Sequence, residues 1–249
     1  MLKDKVCMIT GCGQGIGHAM ARVFAREGAT VCANEINEGS IDEYCAALSA
    51  EYGVEVLPLY FDISDKEAAK RAFAEVKDRF GGMDVLVNNA ALSSNRLFEM
   101  VTREELERLF NVNVFALVEM IQMAVRQMKR RGGGSIVNFS SCVGIDGNPG
   151  QLAYAATKGA VNAITKTAAK ELVKYNIRVN AIAPGYIATE NTRPIREDKK
   201  RNKAILDRIP AGRWGTPDDL KGLCVFLASP ASDYVTGFMY ACDGGWLAR

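Results

Sequence analysis

Thr10-Gly11-Cys12-Gly13-Gln14-Gly15-Ile16-Gly17 decides the fold. The run that leads into it, Val6 to Thr10, is apolar and of buried-strand length. The run that leaves it, Ile16 to Arg26, has helical apolar spacing and stops at Gly28. Glycines at 11, 13, 15 and 17 are more than a plain strand-to-helix turn needs. They permit a tight turn and close backbone approach, and the helix N-terminus then presents N–H donors and a positive dipole end to a pyrophosphate. Gly11, Gln14, Gly15, Ile16 and Gly17 are therefore candidate dinucleotide contacts.

Working outward, strands and helices alternate. Val31 to Asn34, Leu57 to Phe61, Val85 to Val87, Ile136 to Phe139, Ile177 to Ala183 and Tyr240 to Cys242 read as strands. Ser64-Asp65-Lys66-Glu67 reads as a capping box that opens a helix running to about Phe80. Thr102-Arg103-Glu104-Glu105 opens a long one that ends near Arg131. Tyr154 to Lys174 is helical, and Thr216-Pro217-Asp218-Asp219 opens the last helix. Such alternation predicts an α/β fold: one Rossmann-type, doubly wound parallel sheet with helices on both faces. No linker or repeat divides residues 1–249, so a single domain is expected, with a polar, lid-like insertion at about 186–212.

With 31 Lys plus Arg against 29 Asp plus Glu, the net charge is +2, which argues against a nucleic-acid partner. No apolar run approaches the ~18 residues needed to span a bilayer, so no membrane partner is expected. Cys7, Cys12, Cys32, Cys45, Cys142, Cys224 and Cys242 are odd in number and never spaced as CxxC. They read as free thiols in a reducing, cytoplasmic compartment, with no metal site. His18, the only histidine, reads as a helix-surface residue.

The second strand ends in Asn34-Glu35-Ile36. A carboxylate some 20 residues past the glycines can accept hydrogen bonds from adenosine ribose hydroxyls and repel a 2′-phosphate. Gln14 and Ile36 stand where an NADP site usually offers Arg or Lys, so NAD is the expected cofactor. Asp62 reads either as a contact to the adenine edge or as a helix-entry acid.

Tyr154-Ala155-Ala156-Thr157-Lys158 places a phenol and an ammonium four residues apart on one helix face. A nearby cation can lower a tyrosine pKa from its usual ~10, so that the phenol exchanges a proton with an alcohol or ketone. The preceding strand ends in Phe139-Ser140-Ser141, whose hydroxyl can donate to a substrate oxygen.

Thr10 to Gly17, Asp62-Ile63, Asn88-Asn89-Ala90, Asn113, Ser141, Tyr154, Lys158 and Pro184-Gly185 together resemble the short-chain dehydrogenase/reductase family over nearly the whole chain. The resemblance implies a tetrad. Tyr154 is the acid/base and Ser141 polarises the substrate oxygen, with Ser140 matching less well. Lys158 binds the nicotinamide ribose and depresses the tyrosine pKa, and Asn113 holds a water that links Lys158 to solvent. It further implies cofactor contacts from Ile63, Asn89, Tyr154, Lys158, Pro184, Ile187 and Thr189, and a homotetramer. The family's NNAG stretch reads Asn88-Asn89-Ala90-Ala91 here, so a shifted loop is expected at Ala91.

In the C-terminal third, Asn180 to Thr192, Ile205 to Gly215 and Asp243 to Arg249 resemble the sugar-acid branch of the family, the 2-dehydro-3-deoxy-gluconate 5-dehydrogenases and gluconate 5-dehydrogenases. The N-terminal half is equally similar to 3-oxoacyl-carrier-protein reductases. Arg193 and Arg196 can pair with a substrate carboxylate or serve as solvated lid residues, while Arg213 and Trp214 are expected to pack the lid's far end. The expected activity is NAD-dependent interconversion of a secondary alcohol and a ketone by hydride transfer, on a sugar acid or related small-molecule hydroxy compound. Reduction of a 3-oxoacyl thioester or a bulky, steroid-like ketone is the alternative, and an NAD-binding regulator without turnover is the reading from another class.

Overall fold

In the computed structural model, which describes residues 1–248, the glycine turn joins β1 (Val6–Thr10) to α1 (Gly15–Arg26). The chain continues through β2 (Thr30–Glu35), α2 (Asp42–Tyr52), β3 (Val56–Tyr60), α3 (Lys66–Phe80) and β4 (Val85–Asn88). Next come α4 (Arg103–Phe110), a π-helical segment (Asn111–Ala116), α5 (Leu117–Arg130) and β5 (Gly134–Phe139). The last third holds α6 (Val143–Asp146), α7 (Leu152–Leu172), β6 (Ile177–Pro184), α8 (Arg193–Glu197), α9 (Lys199–Leu206), α10 (Lys221–Ala228) and β7 (Met239–Cys242). Arg249, the end of the quoted tail, lies outside the described residues.

The strands form one seven-stranded parallel sheet in the order β3-β2-β1-β4-β5-β6-β7. β1 is central: Ile9 pairs with Ala33 on one side and Val87 on the other. All five of its residues are buried, which is why it reads as an unbroken apolar run. Helices cover both faces. Met20, Phe24, Cys224 and Leu227 fill one layer and Phe73, Met120, Met128 and Val161 the other. The winding reverses between β1 and β4, and in sheets of this kind the crevice at that switch point is where ligands bind.

Local chemistry corrects several expectations. The cap of α3 is Asp65, whose carboxylate accepts from the N–H groups of Glu67 and Ala68 at 3.0 Å; Ser64 instead donates its hydroxyl to Asp62. Thr102 does cap α4, accepting from Glu105 N–H at 3.2 Å, but the Glu105 carboxylate pairs with Arg96. The long helix expected from Thr102 to Arg131 contains the wide turn at Asn111–Ala116. Within Arg103–Arg130 one 18-residue stretch reaches a mean hydropathy of 1.3, so by length and composition alone it could cross a bilayer, a stretch not noted in the sequence; half of it is buried inside the protein. Leu109, Met120, Ala124 and Met128 on it are fully buried, so much of that apolarity serves the core. α2 escaped the reading altogether: Cys45 and Leu48 are its only buried residues, and its cap position, Ile41, has no hydrogen-bonding side chain.

Candidate active site

A cleft of about 600 Å³ opens where the sheet's winding reverses. One wall is the glycine turn. Gly15 has φ +62°, a conformation that favours glycine, and a Cβ on Gly17 would fall 2.1 Å from the Gly11 carbonyl oxygen. α1 thus starts hard against β1. Gln14, at its cap position, makes no side-chain capping bond, so the first N–H groups of α1 are left for a ligand. Glu35 closes the end of this wall. Its carboxylate accepts from Gly13 N–H at 2.8 Å and from Ile36 N–H at 2.9 Å, and it lines the cleft. A pocket with uncapped helix N–H groups at its centre and a carboxylate at its edge fits a dinucleotide.

Gly11, Gln14, Gly15, Ile16, Glu35 and Asp62 all border the cleft. So do Ile63, Asn89, Pro184, Ile187 and Thr189. Gly17 does not, since its place is the contact between helix and strand. Asp62 serves as the helix-entry acid, accepting from Ser64 N–H and Oγ, and still borders the cleft. Asn89 braces the wall: its Nδ2 donates to the carbonyls of Thr10 (2.9 Å) and Gly11 (3.2 Å). Thr10, given no role of its own in the sequence, is fully buried and accepts from the N–H groups of both Asn89 and Ala90 at 3.0 Å. The φ of Ala91 is not positive, so its methyl group strains no backbone, and the flanking Ala90 and Leu92 are both anchored.

Tyr154, Lys158 and Ser141 meet on the far wall. Lys158 is 4% exposed, and its Nζ lies 5.6 Å from the centre of the Tyr154 ring and donates to the Phe139 carbonyl at 2.7 Å. Burial pulls the lysine pKa down to about 8. Burial likewise pushes the Tyr154 phenol up to about 12, opposed by its hydrogen bond with Ser141. Desolvation of the phenolate is the largest influence on Tyr154. Ser140 is spoken for, donating to Asn162 Oδ1 at 2.5 Å and to the Lys158 carbonyl at 3.3 Å, whereas Ser141 reaches the phenol.

Asn113 sits one layer back and does not border the cleft. Its Oδ1 accepts from Leu92 N–H at 2.8 Å, while its Nδ2 donates to the Leu92 carbonyl (2.8 Å) and Thr157 Oγ1 (3.1 Å). It ties the loop after β4 to α7, from within the π-helical segment. Asn88, Asn138 and Thr165 add a buried chain of side-chain bonds across β4, β5 and α7, at 2.9 and 3.0 Å. Polar residues inside the apolar strands β4 and β5 were the one signal of it.

The insertion forms the roof. Ile187, Thr189 and Ile195 border the cleft, and Gln14 Nε2 donates to Asn191 Oδ1 at 3.4 Å across its mouth. Arg193 pairs with Glu190, and Arg196 donates to the Thr189 carbonyl at 3.0 Å; neither borders the cleft. Arg213 grips Asp219 with two bonds of 2.8 Å, which holds that carboxyl far below the usual range. Trp214 packs edge-on to Tyr186. His18 is half-buried, not a surface residue: it stacks on Tyr44 at 3.6 Å, with Nδ1 3.2 Å from the Cys12 carbonyl.

A family model described as enoyl-(acyl carrier protein) reductase matches residues 11–247. The 2-dehydro-3-deoxy-D-gluconate 5-dehydrogenase of Bacillus subtilis is 44% identical over 100% of this chain and 96% of its own length. The 3-oxoacyl-[acyl-carrier-protein] reductase of Thermotoga maritima is 43% identical over 98% of both. A crystal structure of a gluconate 5-dehydrogenase from Burkholderia cenocepacia, in complex with NADP and tartrate, superposes with a TM-score of 0.96 at 35% identity, covering 100% of this chain and 97% of that one. The likeness to the sugar-acid enzymes thus spans the whole chain and not its C-terminal third. Fold, cleft and whole-length likeness agree, and the chain belongs to the short-chain dehydrogenase/reductase family, oxidoreductases that act on hydroxy groups with a nicotinamide cofactor.

Proposed function

We propose that the protein is an NAD-dependent dehydrogenase that interconverts a secondary alcohol and a ketone on a small polyhydroxylated acid. The observation that carries this reading is the meeting of Tyr154, Ser141 and Lys158 on the cleft wall that faces the glycine turn. Ser141 and Tyr154 border the same cleft, so one substrate oxygen can be held by both. Tyr154 then takes the alcohol proton or returns it to the ketone. Lys158 is held by the Phe139 carbonyl and is the buried cation beside the tyrosine. When bound, the nicotinamide supplies the hydride acceptor or donor. Gly11, Gly15 and the first N–H groups of α1 would hold the pyrophosphate, and Glu35 the adenosine ribose hydroxyls.

Glu35 supports NAD over NADP: a 2′-phosphate would be placed against a carboxylate already fixed on Gly13, with exposed Ile36 offering no countercharge. The Burkholderia neighbour holds NADP, so this choice needs its own test. For wild type, kcat/KM with NAD should exceed that with NADP by at least about tenfold, and Glu35→Ser combined with Ile36→Arg should reverse the order. Preference for NADP in the wild type would contradict the assignment.

The polar rim of Ser93, Asn95 and Gln151 favours a hydroxylated substrate over an acyl chain. The neighbour's bound tartrate, a small hydroxy acid, is in keeping with that. Near-UV absorbance with a panel of gluconate, 2-dehydro-3-deoxy-gluconate, neutral polyols and a 3-hydroxyacyl thioester tests it. Turnover of the sugar acids supports the reading; turnover of the thioester alone replaces it with the carrier-protein reductase activity of the Thermotoga relative.

A further inference from the structure

Gln151 stands at the cap position of α7, three residues before Tyr154, and borders the cleft. Its backbone is fixed from two directions. Its N–H donates to the Asn148 carbonyl at 3.0 Å, and it forms a parallel bridge with Arg96, whose N–H donates to the Gly150 carbonyl at 2.7 Å. Arg96 is itself anchored by Glu105 at 2.8 Å, a carboxylate 10% exposed at the start of α4. The loops at 92–97 and 147–151 are thereby joined into one wall of the substrate end of the cleft.

The side chain is fixed too. Asn148 Nδ2 donates to Gln151 Oε1 at 2.8 Å. That bond uses the amide oxygen and leaves the two N–H groups of Nε2 with no protein acceptor among the described residues. A polar group held in this way is pre-organised: it gives up little side-chain freedom on meeting a ligand. Neither the tetrad nor the dinucleotide needs Gln151.

We infer that Gln151 is a specificity-determining residue whose Nε2 donates to a substrate hydroxyl or carboxylate oxygen close to the reacting carbon. Gln151 and Tyr154 both border the cleft at the start of α7, so a small substrate held by Tyr154 can present a second oxygen to Gln151. The substrate class is an alcohol with a second oxygen near the reacting carbon, such as a polyol or hydroxy acid. This rests on the proposed dehydrogenase reading and narrows it, for an unsubstituted secondary alcohol has no atom for this donor.

The test compares wild type, Gln151→Leu, Gln151→Glu and Asn148→Ala on three probes: gluconate, a neutral hexitol, and 2-butanol, which has no second oxygen. Removing one neutral donor costs about tenfold in affinity. For Gln151→Leu, the ratio of kcat/KM for gluconate to that for 2-butanol should fall about tenfold, chiefly through KM, as expected when binding common to ground and transition states is lost. Gln151→Glu places a carboxylate there and should penalise gluconate more than the hexitol if a carboxylate meets the site, and both alike if a hydroxyl does. Asn148→Ala keeps the donor but frees it, and should give a smaller rise in KM. Melting temperature and NAD affinity by fluorescence titration report whether each variant is folded. An unchanged ratio in folded Gln151→Leu overturns the inference and leaves the dehydrogenase reading standing. Wild-type enzyme that turns over neither gluconate nor the hexitol overturns both.

Discussion

At the residue scale, the site depends on how burial treats Tyr154 and Lys158. Both are disfavoured in their charged forms, Lys158 falling to about 8 and Tyr154 rising to about 12. The lysine shift has a consequence for stability. The folded-state pKa lies below the ordinary 10.5, so between pH 8 and 10.5 the unfolded chain binds more protons, and stability rises with pH. Below pH 8 the folded protein carries the full cost of the buried ammonium, about 3 kcal/mol from a shift of this size. Lys158→Met removes that cost. Its melting temperature should exceed that of wild type by several degrees at pH 7, and the gap should close by pH 10. Calorimetry at both values decides, and a gap independent of pH would show that the ammonium is not desolvated. Tyr154 works in the opposite sense, losing stability as pH rises from 10 toward 12, so the comparison is read below pH 10. Ser141 is the other residue whose loss should be chemical: Ser141→Ala should lower kcat by about 10²–10³ with the melting temperature little changed.

The same residues show what a sequence can and cannot disclose. Tyr154, Lys158 and Ser141 were legible because their spacing follows from one helix and one strand end. The direction of the tyrosine shift was not, since it depends on burial contributed by the whole fold. Arg193 and Arg196 could be read either way until Glu190 and the Thr189 carbonyl were seen to hold them.

At the scale of elements, the π-helical segment and the tail are where local rules were overridden. Thr102 to Arg131 has the composition of one regular helix, yet Asn113 reaches both Leu92 and Thr157 from a wide turn. Such turns often mark functional positions. Asn113→Ala leaves the Leu92 N–H and carbonyl without their partner. It should destabilise the fold by about 1–3 kcal/mol and raise KM by loosening the loop after β4. Chemical denaturation checks the first effect, and an unchanged midpoint would show that Leu92 finds other partners.

Trp246 ties three elements together. Its Nε1 donates to Asp146 at the end of α6 at 2.8 Å, the Arg208 guanidinium lies 3.8 Å over its ring, and the Tyr186 ring is 4.7 Å away. It is 5% exposed and packs with Cys142, Val143 and Ile209. The short helix after Ser141, the insertion and the tail are thus braced by one indole. Trp246→Phe keeps an aromatic ring but loses the bond to Asp146 and part of the indole's volume. It should cost about 1 kcal/mol, some 2–4 °C in melting temperature, and raise KM more than it lowers kcat. A variant with full stability and an unchanged KM would show that the brace is ornamental. No spacing in the sequence pairs residue 246 with residue 146, which is why this contact stayed hidden.

At the scale of the whole molecule, the alternation of strands and helices was enough to specify a doubly wound sheet, because parallel strands buried on both faces leave unbroken apolar runs. What the alternation could not specify was how the insertion meets the cleft, where side chains far apart in sequence come together, as Gln14 and Asn191 do. Exposed Phe98, Met100 and Phe115 lie just before and between α4 and α5, while exposed Tyr234 and Phe238 precede β7. We propose that these exposed apolar side chains lie in contacts between copies of the chain that build a tetramer. Sedimentation should give a mass near four times the 27.1 kDa chain; a monomer would contradict it.

The central claim is that Tyr154 exchanges the substrate proton while NAD is reduced. Steady-state oxidation of a sugar acid with NAD, followed by near-UV absorbance in wild type and Tyr154→Phe, tests it most directly. Wild type should turn over and the folded variant should lose activity by about 10²–10⁴-fold. A folded Tyr154→Phe enzyme that retains full activity would contradict the mechanism and place the acid/base elsewhere in the cleft.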